Sequence, residues 1–220
     1  TISAGYKAAA AYAGGKVIQD VGGGICQISS TLYNAVLLAN LEITDRSNHC
    51  FETSYVPAGR DATVNWGTVD FQFKNNRKYP IKIETTAGGG IATAKIHGLK
   101  EENEYEVVIQ SKVTSYISRT TRYKNDSTMD EGKEVIEDNG FDGCNSETYK
   151  ILKLNGEVVS QALISRDSYD PMDRVIIRGT KKVVKPEQEV PVNKGNEEQE
   201  PTQEQNQTEN QEENNNKPNT

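Results

Sequence analysis

The chain has 220 residues, 25 basic and 32 acidic, for a formal charge of −7. Three lysines against nine glutamates in residues 185–220 carry −6 of that charge, so the first 184 residues are close to neutral. A near-neutral body excludes a strongly basic nucleic-acid binder, and no apolar run approaches the ~18 residues that would cross a membrane.

Residues 3–13 read as a helix: Ser3 is an N-cap residue, Ala8 to Ala11 are strong helix formers, and Gly14-Gly15 ends the run. A glycine triplet, Gly22-Gly23-Gly24, then precedes Ile25-Cys26 and lets the backbone take conformations closed to other residues. Residues 27–39 predict a second helix, buried along Ile28, Leu32, Ala35, Val36 and Ala39, with Leu37 and Leu38 widening the face and Asn40 as its stop. From Val69 the period changes to two, through Phe71, Phe73, Ile81 and Ile83. Breaks at Asn75-Asn76 and Gly88-Gly89-Gly90 suggest an antiparallel meander reaching residues 91–96, with 104–111 as its last strand or the link onward. Residues 112–184 alternate short β-prone stretches with polar turns, and Asn155-Gly156 is a strong hairpin signal. The last 36 residues contain no aromatic and only Val190 and Val192 as branched apolar residues, which predicts disorder. The expected division is 1–108, 109–184 and a disordered acidic tail at 185–220. The first residue is Thr1 rather than Met, as in an excised or processed piece.

Most of the chemistry is concentrated around Cys26. A cysteine just after a glycine turn and at a helix N-terminus feels the positive end of the helix dipole, which favours the nucleophilic thiolate. Free amides at that helix end, with Gly23 and Gly24 shaping the turn, can stabilise an oxyanion. Gln27 and Ser29 lie on the same first turns. A cysteine nucleophile needs a base, and there are two histidines, His49 and His97. His49 is preferred: the 23 residues after Cys26 suffice for a helix and a returning strand, and Asp61 can orient its imidazole. Tyr55 and Arg60 are candidates for substrate binding, Arg60 through its planar fork on a carboxylate or, equally, through an ion pair with an acid such as Asp61. Trp66 could line the same groove, although core packing suits a lone tryptophan better. A structural Cys26, or a Cys26–Cys50 disulfide, is the competing reading of the thiol. Two histidines and three scattered cysteines lack zinc-ligand spacing, so no metal and no cofactor is expected.

GGGICQISSTLYNA (22–35), SNHCFETSYVPAGRDATVNWGTVDFQFKNN (47–76) and YPIKIE (79–84) together resemble the VanW family over about residues 5–98. Residues 112–184 resemble a five-glycine (G-five) domain, through Gly140 and Gly143 before Thr148-Tyr149, Asn155-Gly156, Tyr169 with Pro171, and Gly179. The VanW resemblance implies a Gram-positive, extracellular cell-envelope protein, with Cys26 as nucleophile of a peptidoglycan L,D-transpeptidase. His49, Arg60 and Asp61 are carried over as site candidates because they fall in the second matching block. Cys50 departs from the small hydroxyl residue expected after the histidine and leaves the disulfide open. By fold-level analogy with papain-like and transglutaminase-like enzymes, the expected class is α+β, with the nucleophile helix packed on an antiparallel sheet and a small, elongated all-β module following. The implied partners are peptidoglycan stem peptides and glycan, with no nucleic acid and no membrane span, and the chain is expected to be a monomer. The expected reaction is 3-3 cross-linking of stem tetrapeptides through a cysteine acyl-enzyme. The alternatives are a non-catalytic wall-binding scaffold and a cysteine peptidase or amidase acting on stem peptides.

Overall fold

Twelve β-strands, one α-helix and a short 3-10 turn (Ile2–Ala4) make up the described residues, 2–13, 16–102 and 104–183, of the computed structural model. The expected α+β architecture is therefore corrected: the protein is mostly β, and its N-terminal part is not a helix on a single antiparallel sheet. Strands β1 (Ala8–Ala13) and β2 (Lys16–Val21) form one antiparallel ladder, with Ala8 opposite Val21 and Ala13 opposite Lys16. A second ladder pairs β3 (Glu42–Asp45) with β4 (Gln72–Lys74), and a third pairs β5 (Lys82–Gly88) with β6 (Ile91–His97). These are three separate two-stranded sheets rather than one meander. The helix α1 (Ile25–Leu38) touches strands of more than one of them, including β3 and β6.

The helix expected at residues 3–13 is the clearest local departure. Six alanine-rich residues are too short to repay helix nucleation on propensity alone. A β-branched partner, Val17, Ile18 and Val21, supplies a ladder instead. The glycine pair between the strands, read as a helix stop, is equally a hairpin signal, and residues 14–15 lie outside the described residues. The tail expected to be disordered also lies outside them from residue 184 onward.

In the second half, β7 (Glu106–Ile117), β10 (Gly143–Leu154) and β11 (Glu157–Tyr169) form an antiparallel sheet in the order β11-β10-β7. The β10–β11 turn is Asn155-Gly156, with φ of 54° and 86°, as a tight hairpin of the right twist requires. Strands β8 (Thr121–Asp130), β9 (Glu134–Asp138) and β12 (Arg174–Lys181) form a second sheet in the order β8-β12-β9, in which β12 runs parallel to β8.

The two halves share their core. Tyr33, Leu37 and Ala62 pack with the partly buried Ile43 and Phe71 from the first half and Ile109 and Ile164 from the second. Ala58 packs with Cys144 and Tyr169. Period-two alternation explains the contact: Cys144, Ser146 and Thr148 of β10, and Asp167 and Tyr169 of β11, are buried on faces turned toward residues 57–61. Gly59 sits at the closest approach. Its φ is +83°, and a Cβ there would lie 2.1 Å from Thr148 Oγ1. Gly59→Ala is expected to cost about 2–4 kcal/mol, from positive-φ strain plus overpacking. Denaturant unfolding checks this, and a variant as stable as the parent would show that the two halves pack independently of this contact.

Candidate active site

The glycine triplet places the thiol. Gly22 (φ 97°) and Gly24 (φ 92°) occupy the left-handed region, and Gly24 is the N-cap of α1. Gly23 is needed for space: a Cβ would lie 2.5 Å from the backbone of Ala9. The turn delivers Cys26 as the second residue of the helix. The buried helix face then runs through Ser30, Tyr33, Val36 and Leu37, while Ile28 and Leu38 are exposed. Of the face expected along Ile28, Leu32, Ala35, Val36 and Ala39, widened by Leu37 and Leu38, Val36 and Leu37 are buried, Leu32, Ala35 and Ala39 half-buried, and Ile28 and Leu38 exposed, because the helix turns Ser30 toward Ala62. Ser29 Oγ donates to the Ala62 carbonyl (2.6 Å), Ala62 N–H donates to Ser30 Oγ (2.9 Å), and Asn34 Nδ2 donates to the Arg60 carbonyl (2.7 Å).

That zipper aligns Asp61 with the helix start. Asp61 is 1 % exposed and His49 8 %. Asp61 Oδ2 accepts from the His49 backbone N–H at 2.7 Å and lies 2.6 Å from His49 Nδ1. Nδ1 is thereby engaged, and the imidazole and the Cys26 thiol are near enough for each to favour the charged form of the other. Tyr55 Oη lies 3.5 Å from Nε2. The buried His49–Asp61 pair is thus electrostatically coupled to Cys26, with Tyr55 at its edge.

Electrostatics favour an ion pair of Cys26 and His49. Burial opposes ionisation of Cys26, but the hydrogen bond and charge of His49, with a backbone hydrogen bond from Val64, bring the thiol below its ordinary 9.0. The Val64 carbonyl oxygen, 3.5 Å from Sγ, can accept only from the neutral thiol, a contact given up on ionisation. Burial likewise opposes protonation of His49, but its bonds to Asp61 and Cys26 and their charges raise it from 6.5 to about 9. Asp61 is held low despite burial by hydrogen bonds from His49 and Tyr169 and the charge of Arg46. Tyr55 is pushed up to about 12 by burial and the neighbouring Cys26 and Asp61 charges, so it remains a neutral donor.

Three residues of this centre carry no sequence signal for it. Arg46 donates from Nε to the Asp61 carbonyl (2.6 Å) and from Nη2 to Asp61 Oδ1 (2.9 Å), and it forms an ion pair with Asp167. Tyr169 Oη donates to Asp61 Oδ1 (2.6 Å). Arg46 could have been flagged only by its place three residues before His49, and Asp167 by its place two residues before Tyr169 on one strand face.

The other sequence candidates fall as follows. Arg60 Nε donates to Asn34 Oδ1 and Nη1 to the Ile109 carbonyl (3.4 Å), so its guanidinium ties the helix to β7. The Ser29 hydroxyl is occupied by the Ala62 and Cys26 carbonyls. Gln27 is half-buried on the first helical turn, with its N–H on the Gly24 carbonyl (3.1 Å). His97 lies on β6, 3.6 Å from Glu84, outside this group. Trp66 is 100 % exposed, against the core position expected for it. The turn that holds it out is closed by Asn65 Nδ2 on Thr68 Oγ1 (2.9 Å). All three cysteines are free thiols. Cys144 is pushed up to about 11 by burial and Glu52, which makes it a poor nucleophile.

At the helix start Ile25 N–H donates to the Gly22 carbonyl, and Gln27 and Ile28 N–H to the Gly24 carbonyl. An open cleft beside Tyr55 is lined by Glu52 to Pro57 from the first half and Phe141 and Asp142 from the second. No helix among the described residues is long and apolar enough to cross a membrane.

Residues 1–97 match the family described as VanW like protein, and residues 108–181 match the G5 domain family. Over 90 residues the chain is 50 % identical to the uncharacterized protein YoaR of Bacillus subtilis (strain 168). That stretch is 41 % of this chain but only 30 % of YoaR, so the chain spans about a third of that relative's length. An IgA1 protease G5 domain structure is similar at 24 % identity, over 37 % of this chain and 98 % of that one, with a TM-score of 0.26. The HP0197-G5 crystal structure is similar at 17 % identity, over 34 % and 99 %, with a TM-score of 0.21. The chain thus carries a VanW-like domain over residues 1–97 followed by a G5 domain over residues 108–181.

Proposed function

We propose that the protein is a cysteine-dependent L,D-transpeptidase of peptidoglycan, acting outside the membrane at the cell envelope. The observation that carries this reading is the buried His49–Asp61 pair coupled to Cys26 at the start of α1. The thiolate attacks the carbonyl of the third, diamino-acid residue of a stem tetrapeptide, and the Cys26 N–H stabilises the resulting oxyanion. His49 gives its proton to the leaving D-alanine amine as the C–N bond breaks, leaving a thioester. An amine on a neighbouring stem then attacks the thioester and loses its proton to His49. A 3-3 amide forms and the thiolate returns. Asp61 keeps the imidazole oriented and compensates its charge throughout. The cleft beside Tyr55 offers the stem peptide walls from both domains.

The test is incubation of reduced protein with purified tetrapeptide muropeptides, analysed by mass spectrometry. Cross-linked dimers and stoichiometric free D-alanine are expected. D-alanine without dimers would replace transfer by hydrolysis, and no product from reduced, folded protein would sink the enzymatic reading.

A further inference from the structure

We infer that Tyr169 of the G5 domain is a positioning residue for the catalytic acid, so that the active site is completed only by the second domain. The inference rests on the acid role given to Asp61 above and adds a structural partner to it. Tyr169 ends β11, more than a hundred residues from Asp61, and is 0 % exposed. Its hydroxyl has both hydrogen-bonding functions filled from the VanW-like domain: it donates to Asp61 Oδ1 (2.6 Å) and accepts from the Gly59 N–H (2.7 Å). The first bond fixes the carboxylate rotor. The second fixes the turn that delivers Asp61, closed by Arg60 N–H on the Pro57 carbonyl (3.0 Å).

The same strand reaches the acid by a second route. Asp167, two residues earlier and on the same face, pairs with Arg46, and Arg46 holds both the backbone carbonyl and Oδ1 of Asp61. Further ties keep β11 in register against this loop: Asp170 N–H donates to the Cys50 carbonyl (2.6 Å) and Asn48 Nδ2 to the Ser168 carbonyl (2.9 Å). A domain serving only as a wall-binding appendage would need no buried hydroxyl on the catalytic carboxylate. The charged and titratable groups around Asp61 are His49, Arg46 and Tyr169, with Cys26 beyond the imidazole, Tyr33 and Tyr55 at the margin, and Asp167 behind Arg46.

Tyr169→Phe in the full chain removes the hydroxyl and keeps the ring that packs on Ala58 and Cys144. Without it the buried carboxylate loses a donor and leans toward Arg46, the Asp61–His49 bond weakens, and the imidazolium that sustains the thiolate is less stable. The measurement is the iodoacetamide rate against pH, read at Cys26 by peptide mass spectrometry, together with muropeptide turnover. The acid limb of alkylation should move up by roughly half to one pH unit. kcat should fall about tenfold with KM unchanged. An alkylation profile superimposable on the wild type, in a folded variant, would overturn the inference. If circular dichroism shows that the phenylalanine variant does not fold, 3-fluorotyrosine at position 169 decides. Its more acidic hydroxyl is a stronger donor, so the acid limb should move down, and an unmoved limb overturns the inference equally. Should the wild type prove inactive on muropeptides while the alkylation shift is present, the positioning role stands and the transpeptidase reading alone fails.

Discussion

Replacing Cys26 with alanine is expected to abolish release of D-alanine and formation of cross-linked dimers, a loss of at least about 10⁴-fold, while leaving the protein folded. The large effect follows from the mechanism: without sulfur at the helix start there is no acyl-enzyme there, and Cys144 is no substitute, being buried against Glu52 with its thiol pushed up to about 11. The stability cost should be small, within about 1 kcal/mol, because Cys26 is only half-buried and the helix start is held by other bonds. Gly24 still caps the helix, Ser29 and Ser30 still grip Ala62, and Asn34 still holds the Arg60 carbonyl. Thermal unfolding beside the muropeptide assay separates the two quantities. Residual turnover above a few per cent would show that Cys26 is not the nucleophile. A collapse of the melting temperature would show a structural thiol, as the wall-binding alternative requires.

The parts of the site legible in the sequence are those encoded locally. Three glycines before a cysteine and an apolar run announce a helix start, and the backbone uses two of them for positive φ and one for close approach to Ala9. Asn155-Gly156 encodes its own turn in the same way. What could not be read is set by chain segments far apart. The partners of Arg46 include Asp167, and those of Asp61 include Tyr169, over a hundred positions away. Tyr169 did stand out as part of the G5 pattern, but its link to the acid depends on β11 packing over residues 57–61, which no spacing encodes. Residues 8–13 failed for a related reason. Alanine carries high helix propensity, yet the pairing partner at 16–21 outweighs it, and pairing is not a property of either segment alone. Trp66 shows the limit of composition: a lone tryptophan is usually placed inside, but a four-residue turn bonded through Asn65 and Thr68 puts it in solvent.

The choice between the two histidines yields the second large effect. His49→Ala should lower turnover by about 10²–10⁴-fold, because general acid and base are lost together, whereas His97→Ala, an exposed site beside Glu84, should leave turnover unchanged. The thiol provides a cleaner readout. In the wild type, His49 overcomes the burial that would otherwise raise Cys26, so the thiol ionises below 9.0. In His49→Ala burial remains and most of its compensation is gone, so the alkylation midpoint should move up. Stability should respond as well, with a definite sign. His49 is raised from 6.5 to about 9 in the folded protein, so the stability it contributes is fully present below pH 6.5 and is lost as pH rises through about 9. The wild-type melting temperature should therefore fall across that window, and the fall should be absent from His49→Ala. If the alkylation midpoint and the slope of melting temperature against pH are the same in both proteins, His49 is not coupled to the thiol, and the His49–Asp61 pair cannot be what activates Cys26.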